Sequence, residues 1–394
     1  MTSQNPDDGH DRRRFIAGLT ALGATSLAGC TDLLGDDSND ENNDSEESSD
    51  GEDNSNGSDG TDSDIGQIGS GRAGRDAPGG MSMEELPDLS GELTVYSGRG
   101  EFLVGPLVNY IENLYDDFEL TPRYADSTDH VNAILNEGQG TPADVFYSVN
   151  SGSLGALADE GRTQALPSEV VDMVPDEFHT EQWTGTSGRA RTVPYNTDAY
   201  AEEDLPDSIM AYPDFEGDLG WAPSYGSCQA FVTAMRILEG EEATSEWVEG
   251  IIDGGVQTYP NEFAASQAVA DGEIDAAFTN HYYIQRVLDS NPNASIATSF
   301  TSGDAGSVFN VAGATIIDAA DNADLAAKFI RHLLSAEAQE FFAVETFEYP
   351  LNPNVEPVGD LPTTDELDVP ELDLSELSDL EATVDLLREA GANV

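Results

Sequence analysis

Between Asp36 and Asp64 the chain is built almost entirely from Asp, Glu, Ser, Asn and Gly. A segment with so little apolar surface has nothing to offset the entropy of ordering its backbone, and its like charges hold it extended. No hydrophobic core can include it, so a fold must be sought on its C-terminal side. Residues 31–64 hold 14 acidic side chains and no basic one, and residues 65–90 add a net −2. The formal net charge of the whole chain is −62, so −46 falls on residues 91–394, the first thirty residues being balanced. Lys328 is the lone lysine among 15 basic residues. A surface this anionic excludes a nucleic-acid partner, because phosphate backbones need cations. It suits a folded protein in concentrated salt, where the screening length is about 3 Å at molar ionic strength.

The N-terminus reads as an address. Arg12-Arg13-Arg14-Phe15-Ile16 precedes a short apolar stretch, Ala17 to Ala28, and then Gly29 and Cys30. Twelve residues are too few to span about 30 Å of hydrocarbon as a helix, so the pattern is that of a signal peptide. Arg12 and Arg13 resemble a twin-arginine export signal, and Leu27-Ala28-Gly29-Cys30 resembles a lipobox, in which Cys30 becomes the lipidated first residue. The expected organisation is a signal over 1–29, an acidic tether over 30–90 and a folded domain over 91–355. An acidic segment with a terminal helix follows over 356–394. Cys228 is the one other cysteine, so no disulfide framework is possible; it is expected to be a small buried hydrophobe.

From Gly91 the texture changes. Strand-like runs at 93–97, 143–147, 192–195, 275–278 and 311–317 alternate with helical spacing at 103–115, 154–160, 228–239, 263–270, 282–289 and 323–343. Such alternation predicts an α/β fold with helices on both faces of the sheets.

Several blocks then occur in a fixed order: Val95-Tyr96-Ser97-Gly98-Arg99, Pro142 to Tyr147, Ser187 to Arg191, Trp221-Ala222-Pro223, Asn280-His281-Tyr282-Tyr283 and Glu348 to Pro353. Together they resemble the periplasmic ferric-ion-binding proteins of ABC importers, over roughly residues 92–355. The resemblance implies a two-lobed, type II periplasmic-binding-protein fold with discontinuous lobes joined by crossing strands. Lobe 1 is expected near 91–186 and 302–340, and lobe 2 near 187–301 and 341–394.

Fe(III) is a hard cation that favours anionic oxygen, and a bound cation stabilises a phenolate that is otherwise protonated. Tyr282 and Tyr283 match the tandem tyrosine ligands of the family. Tyr225, before the 228–239 helix, matches a third in its three-tyrosine branch. The resemblance further implies a small co-bound anion such as carbonate. Arg189 matches the arginine that holds it, and Ser224, Gly226 and Ser227 form a loop whose free N–H groups open a helix, as anion sites require. Tyr96, Ser97, Arg99, Asn261 and Asn280 match positions that line the family's cleft; the alternatives are structural ion pairs with nearby acids for Arg99 and Arg191, and helix caps for Asn261 and Asn280. The chain departs from the family at Gly100 and Val149, where other members carry a His and a Glu ligand. Glu101 is a possible substitute ligand, and His281 is expected to support the site from behind or to lie at the surface.

The function expected from these features is a lipid-anchored, extracellular solute-binding protein. It is expected to be a monomer, to meet the membrane by its lipid alone, and to deliver ferric iron to an ABC permease. Thiamine, polyamine or phosphonate is the competing cargo. An exported enzyme is disfavoured, since the chain has no Gly-x-Ser-x-Gly, no His-Glu-x-x-His and no Cys/His nucleophile pair. An adhesion protein is disfavoured because no repeats occur.

Overall fold

This computed structural model describes residues 67–69, 74–378 and 380–394. Arg12, Arg13, Cys30 and the acidic run through Asp64 lie outside the described residues. Among the described residues, eleven strands form one connected sheet: β1 (Gly91–Ser97), β2 (Phe118–Tyr124), β3 (Val145–Ser148), β4 (Thr184–Asn196), β5 (Leu219–Trp221), β6 (Gln257–Thr258), β7 (Ala276–Ala277), β8 (Thr279–Asn280), β9 (Ile296–Ser299), β10 (Phe309–Ile316) and β11 (Tyr349–Pro350).

β4 organises the rest. Its first half pairs antiparallel with β10 and β11, and its second half with β7, β8 and β9. Two runs in opposite directions, β4 and the β9–β10 segment, therefore cross from one part of the sheet to the other. At the crossing there is no room for a Cβ: one on Gly188 would sit 2.0 Å from the Phe309 ring, and one on Gly313 would sit 2.4 Å from the Thr184 carbonyl oxygen. Glycine is required there by contact distance rather than by turn geometry.

The parallel pairs β1–β2 and β1–β3 lie on one side of this crossing, with β10 beside β3. Helices Glu101–Asn113, Ser127–Glu137, Ser151–Asp159 and Ala323–Leu333 cover them. Val95, Ile111, Phe146, Leu157, Phe329 and Leu333 fill this first core. Trp221, Phe231, Trp247, Ile251 and Phe278 fill a second, with a satellite around Val269, Ile284 and Val287. Phe341, Phe342, Tyr349 and Leu351 pack in the first core, whereas the boundary expected at residue 341 put them with the second. The terminal helix Glu381–Glu389 sends Leu387 into the second core.

Two local departures from expectation have clear causes. Order begins before Gly91: Ser82 and Glu85 form a capping box, and Met83 is buried. Ser82 Oγ and the Met83 N–H both bond the buried Glu337 carboxylate, at 2.7 and 2.9 Å. The helix expected over 323–343 is broken, because Ser335 caps a new helix, Ala336–Phe341, by accepting from the Ala338 N–H at 3.2 Å.

His332, on the helix before that break, is fully buried, with one ring nitrogen 2.7 Å from the Tyr115 hydroxyl and the other 2.8 Å from the Lys328 carbonyl. Burial lowers its pKa from 6.5 to about 4. In that window the unfolded chain binds a proton that the folded chain does not, so stability falls as pH drops. The expected loss from this residue between pH 7 and pH 5 is about 2 kcal/mol. Urea midpoints of wild type and His332→Gln, each measured at both pH values, test this. The wild type should lose more on acidification, and equal losses would contradict the assignment.

Candidate functional site

A cleft of about 530 Å³ opens beside the crossing strands, lined by residues from both sides of the crossing. Four helices begin on its walls. Asp126, Asn150, Tyr225 and Asn280 are the N-cap residues of Ser127–Glu137, Ser151–Asp159, Gly226–Leu238 and His281–Ser290, and all four line the cleft. Helix N-termini carry partial positive charge and unsatisfied N–H groups. In a chain of net charge −62, the cleft is thereby a local exception that favours anions. Asn150 bonds the Ser153 N–H at 2.8 Å, whereas Tyr225 and Asn280 make no side-chain cap bond.

The three tyrosines come together here. The hydroxyls of Tyr225 and Tyr283 are 2.7 Å apart, although the residues are separated by 58 positions. The Tyr282 and Tyr283 rings are 4.3 Å apart at 46°, and Asn280 Nδ2 donates to the Tyr282 hydroxyl at 3.5 Å. Adjacent residues converge in this way because β8 ends at Asn280 and the helix starts at His281, which changes the side-chain period from two to 3.6. Tyr225 and Tyr282 line the cleft; Tyr283 stands behind Tyr225, 5% exposed. Burial raises the pKa of both Tyr282 and Tyr283; the Arg189 charge opposes the rise at Tyr282, and the neighbouring Tyr282 hydroxyl adds to it at Tyr283. Both are neutral phenols in the free protein. Among the described residues no group of three or more His, Cys, Asp or Glu is placed to hold a metal.

Arg189 and Arg191 lie two apart on β4 and both line the cleft, as the strand period requires. Each is backed by a buried carboxylate. Arg191 Nη1 bonds Glu262, which is fully buried and also accepts from the Asn280 N–H at 3.1 Å. Arg189 bonds the Val149 carbonyl and lies 4.0 Å from Glu348. Its Nε is buried without a hydrogen-bond partner, as is Ser227 Oγ at the start of the Tyr225 helix. Arg191 Nε is likewise buried and unpartnered, and three such atoms on cleft-lining residues are what an acceptor bound there would satisfy. Gly226 also lines the cleft, with open space at its Cβ position.

Other expected residues sit elsewhere. Tyr96 is buried with its hydroxyl 3.1 Å from Glu137, and Ser97 Oγ donates to the Arg99 carbonyl at 2.8 Å. Arg99 is 1% exposed and paired with Glu348 at 2.7 Å. Asn261 caps helix Glu262–Ala270 through the Ala264 N–H. None of these four lines the cleft; their polar atoms are committed to partners elsewhere in the fold. Of the five residues expected along the cleft, Asn280 is the one found there. Ser224 is exposed and donates to the Asn393 carbonyl at 3.1 Å. Glu101 is exposed at the first turn of its helix and outside the cleft lining.

His281 is fully buried, so the surface position open to it from the sequence is not the one it takes. Cys228 is buried as expected, and burial pushes its thiol up to about 12. Asn150, Asp126 and Asn310 line the cleft without having been singled out. A polar residue closing a strand and opening a helix was the available signal for the first two.

The sequence profile described as "Bacterial extracellular solute-binding protein" matches residues 140–373. The chain is 32% identical over 267 residues to the major ferric iron-binding protein of Neisseria meningitidis serogroup A, covering 66% of this chain and 80% of that one. It is 30% identical over 300 residues to iron uptake protein A1 of Synechocystis, covering 70% and 79%. Among solved structures, iron-bound HitA from Pseudomonas aeruginosa superposes with a TM-score of 0.67 at 27% identity, covering 76% of this chain and 99% of HitA.

Proposed function

The chain belongs to the bacterial extracellular solute-binding protein family, and from that premise we propose that it captures ferric iron with Tyr225, Tyr282 and Tyr283 and passes it to an ABC permease. Its fold is the two-lobed type II fold of periplasmic binding proteins, and the family is one of solute-binding transport proteins, not enzymes. The observation that carries the reading is the meeting of the Tyr225 and Tyr283 hydroxyls, 2.7 Å apart, with Tyr282 alongside in the cleft wall. Three phenolates balance the charge of Fe(III), and the relatives named for ferric iron support that cargo.

A small anion, carbonate or one like it, completes the site in this reading. Arg189 Nε, Ser227 Oγ and the Gly226–Leu238 N-terminus are the groups that would receive it. Ser224 has no part in it. Capture closes the two lobes about the crossing strands, and contact with the permease reopens them. The twin arginines at Arg12 and Arg13 direct export, Cys30 carries the lipid, and the acidic segment holds a monomeric domain off the outer face of the membrane. The acidic surface is adaptation to salt.

The test is metal analysis with a visible spectrum of protein purified in high salt. An Fe:protein ratio near one and a phenolate-to-iron charge-transfer band are expected after adding ferric citrate. A colourless, metal-free protein after that addition would sink the iron assignment, and binding of thiamine, a polyamine or a phosphonate would replace it.

A further inference from the structure

Tyr282 and Tyr283 stand on helix His281–Ser290, and Arg189 stands on β4. If one metal–anion pair is shared by both elements, their relative placement has to be held within about 0.5 Å. A third segment, outside the cleft lining, touches both. His281 Nδ1 accepts from the Ala190 N–H at 3.1 Å, and its Nε2 is 2.8 Å from the Phe347 carbonyl. An N–H pointing at Nδ1 makes that atom the acceptor, so Nε2 carries the proton and donates to Phe347. The first residue of the tyrosine helix is thus fastened to β4, beside Arg189, and to residue 347.

Phe347 closes the π-helical turn Phe342–Thr346 with φ 59°, the one non-glycine residue at positive φ among the described residues. Such a conformation is uncommon for a residue that carries a Cβ and persists where its surroundings over-determine it. The next residue, Glu348, faces Arg189. Its Oε2 accepts from Arg99 Nη2 at 2.7 Å, Ser187 Oγ at 2.8 Å and Thr346 Oγ1 at 3.2 Å. Its Oε1 lies 4.0 Å from Arg189 Nε. Three donors clamp one oxygen and thereby orient the other toward the arginine of the cleft.

We propose that His281 and Glu348 are positioning residues that, through the turn Thr346–Glu348, set the tyrosine helix and Arg189 in register for a single metal–anion pair. The inference rests on the ferric reading above. It also gives His281 a role without making it a ligand: both ring nitrogens are already committed to backbone groups.

His281→Leu, His281→Gln and Glu348→Asp test it, loaded from ferric nitrilotriacetate with and without added bicarbonate or phosphate. Losing a residue that supports a metal ligand costs about 10–100-fold in affinity, and that loss with a shifted visible band is expected of His281→Leu. His281→Gln keeps an acceptor for Ala190 and a donor for Phe347, and should recover most of the affinity and the band. Glu348→Asp keeps the counter-charge of Arg99 but withdraws a carboxylate oxygen from Arg189. It should retain the band and lose much of the enhancement by the added anion.

A purely structural role would lower Tm and leave band and anion dependence alone. His281→Leu with wild-type spectrum and affinity, or Glu348→Asp with wild-type anion dependence, overturns the proposal. Should His281→Leu not fold, Glu348→Asp decides. A wild-type protein that takes up no iron ends the ferric reading and this one with it, whereas a wild type that binds iron like its variants ends this inference alone.

Discussion

Tyr282→Phe is expected to lower Fe(III) affinity by about 100-fold or more, since loss of a group that merely supports a ligand already costs about 10–100-fold. The physical reason is charge. Three phenolates leave Fe(III) neutral, whereas two leave an excess positive charge in a partly desolvated cleft, where uncompensated charge is expensive. The fold should hardly notice. The Tyr282 hydroxyl makes a 3.5 Å contact with Asn280, and a hydrogen bond of ordinary strength contributes about 1 kcal/mol. Tyr225→Phe should act similarly on iron, and it also removes the partner of the buried Tyr283 hydroxyl. The checks are competitive titration against a chelator and the intensity of the visible band. A variant with wild-type affinity and undiminished band would remove that tyrosine from the site.

Iron binding should also depend steeply on pH. Burial holds Tyr282 and Tyr283 protonated, with pKa values above the ordinary phenol value of 10.0. Each phenol that ligates iron must therefore release its proton on binding. Affinity rises with pH and falls as pH is lowered, by about tenfold per pH unit for each proton released. With three ligating tyrosines the slope of log K against pH approaches three, after correction for the proton binding of the competing chelator. Each Tyr→Phe substitution should lower it by about one. A slope near zero between pH 6 and 8 would mean that no phenolate forms, and the tyrosines would then serve only as cleft wall.

The elements with strong local signals were legible in advance. Val95, Phe146, Val311 and their neighbours lie in buried strands, where continuous apolar runs had placed them. The apolar alternation of β2 stops after Phe118 and Leu120 and Pro122 interrupts the run, and polar residues dominate Ser127–Glu137 and Glu241–Asp253, so these three elements were not legible. The ordered motif set led to Tyr225, Tyr282, Tyr283 and Arg189. Arg99, which belongs to the same set of blocks, takes the ion-pair alternative and turns inward to Glu348, 249 residues away. Nothing near Arg99 in the chain announces that carboxylate.

The sequence by itself determined the excess of acidic side chains and most of the helices and strands from Gly91 onward. These depend on composition and on neighbours within a turn or two. Only the tertiary structure decided which arginines face the cleft, that four helix N-termini meet there, and that His281 and Arg189 both meet the turn Thr346–Glu348. Those facts rest on contacts such as Tyr225 with Tyr283 and His281 with Phe347, 58 and 66 residues apart. Local propensity carries no information about such pairs; packing of the two cores around the crossing strands brings them together.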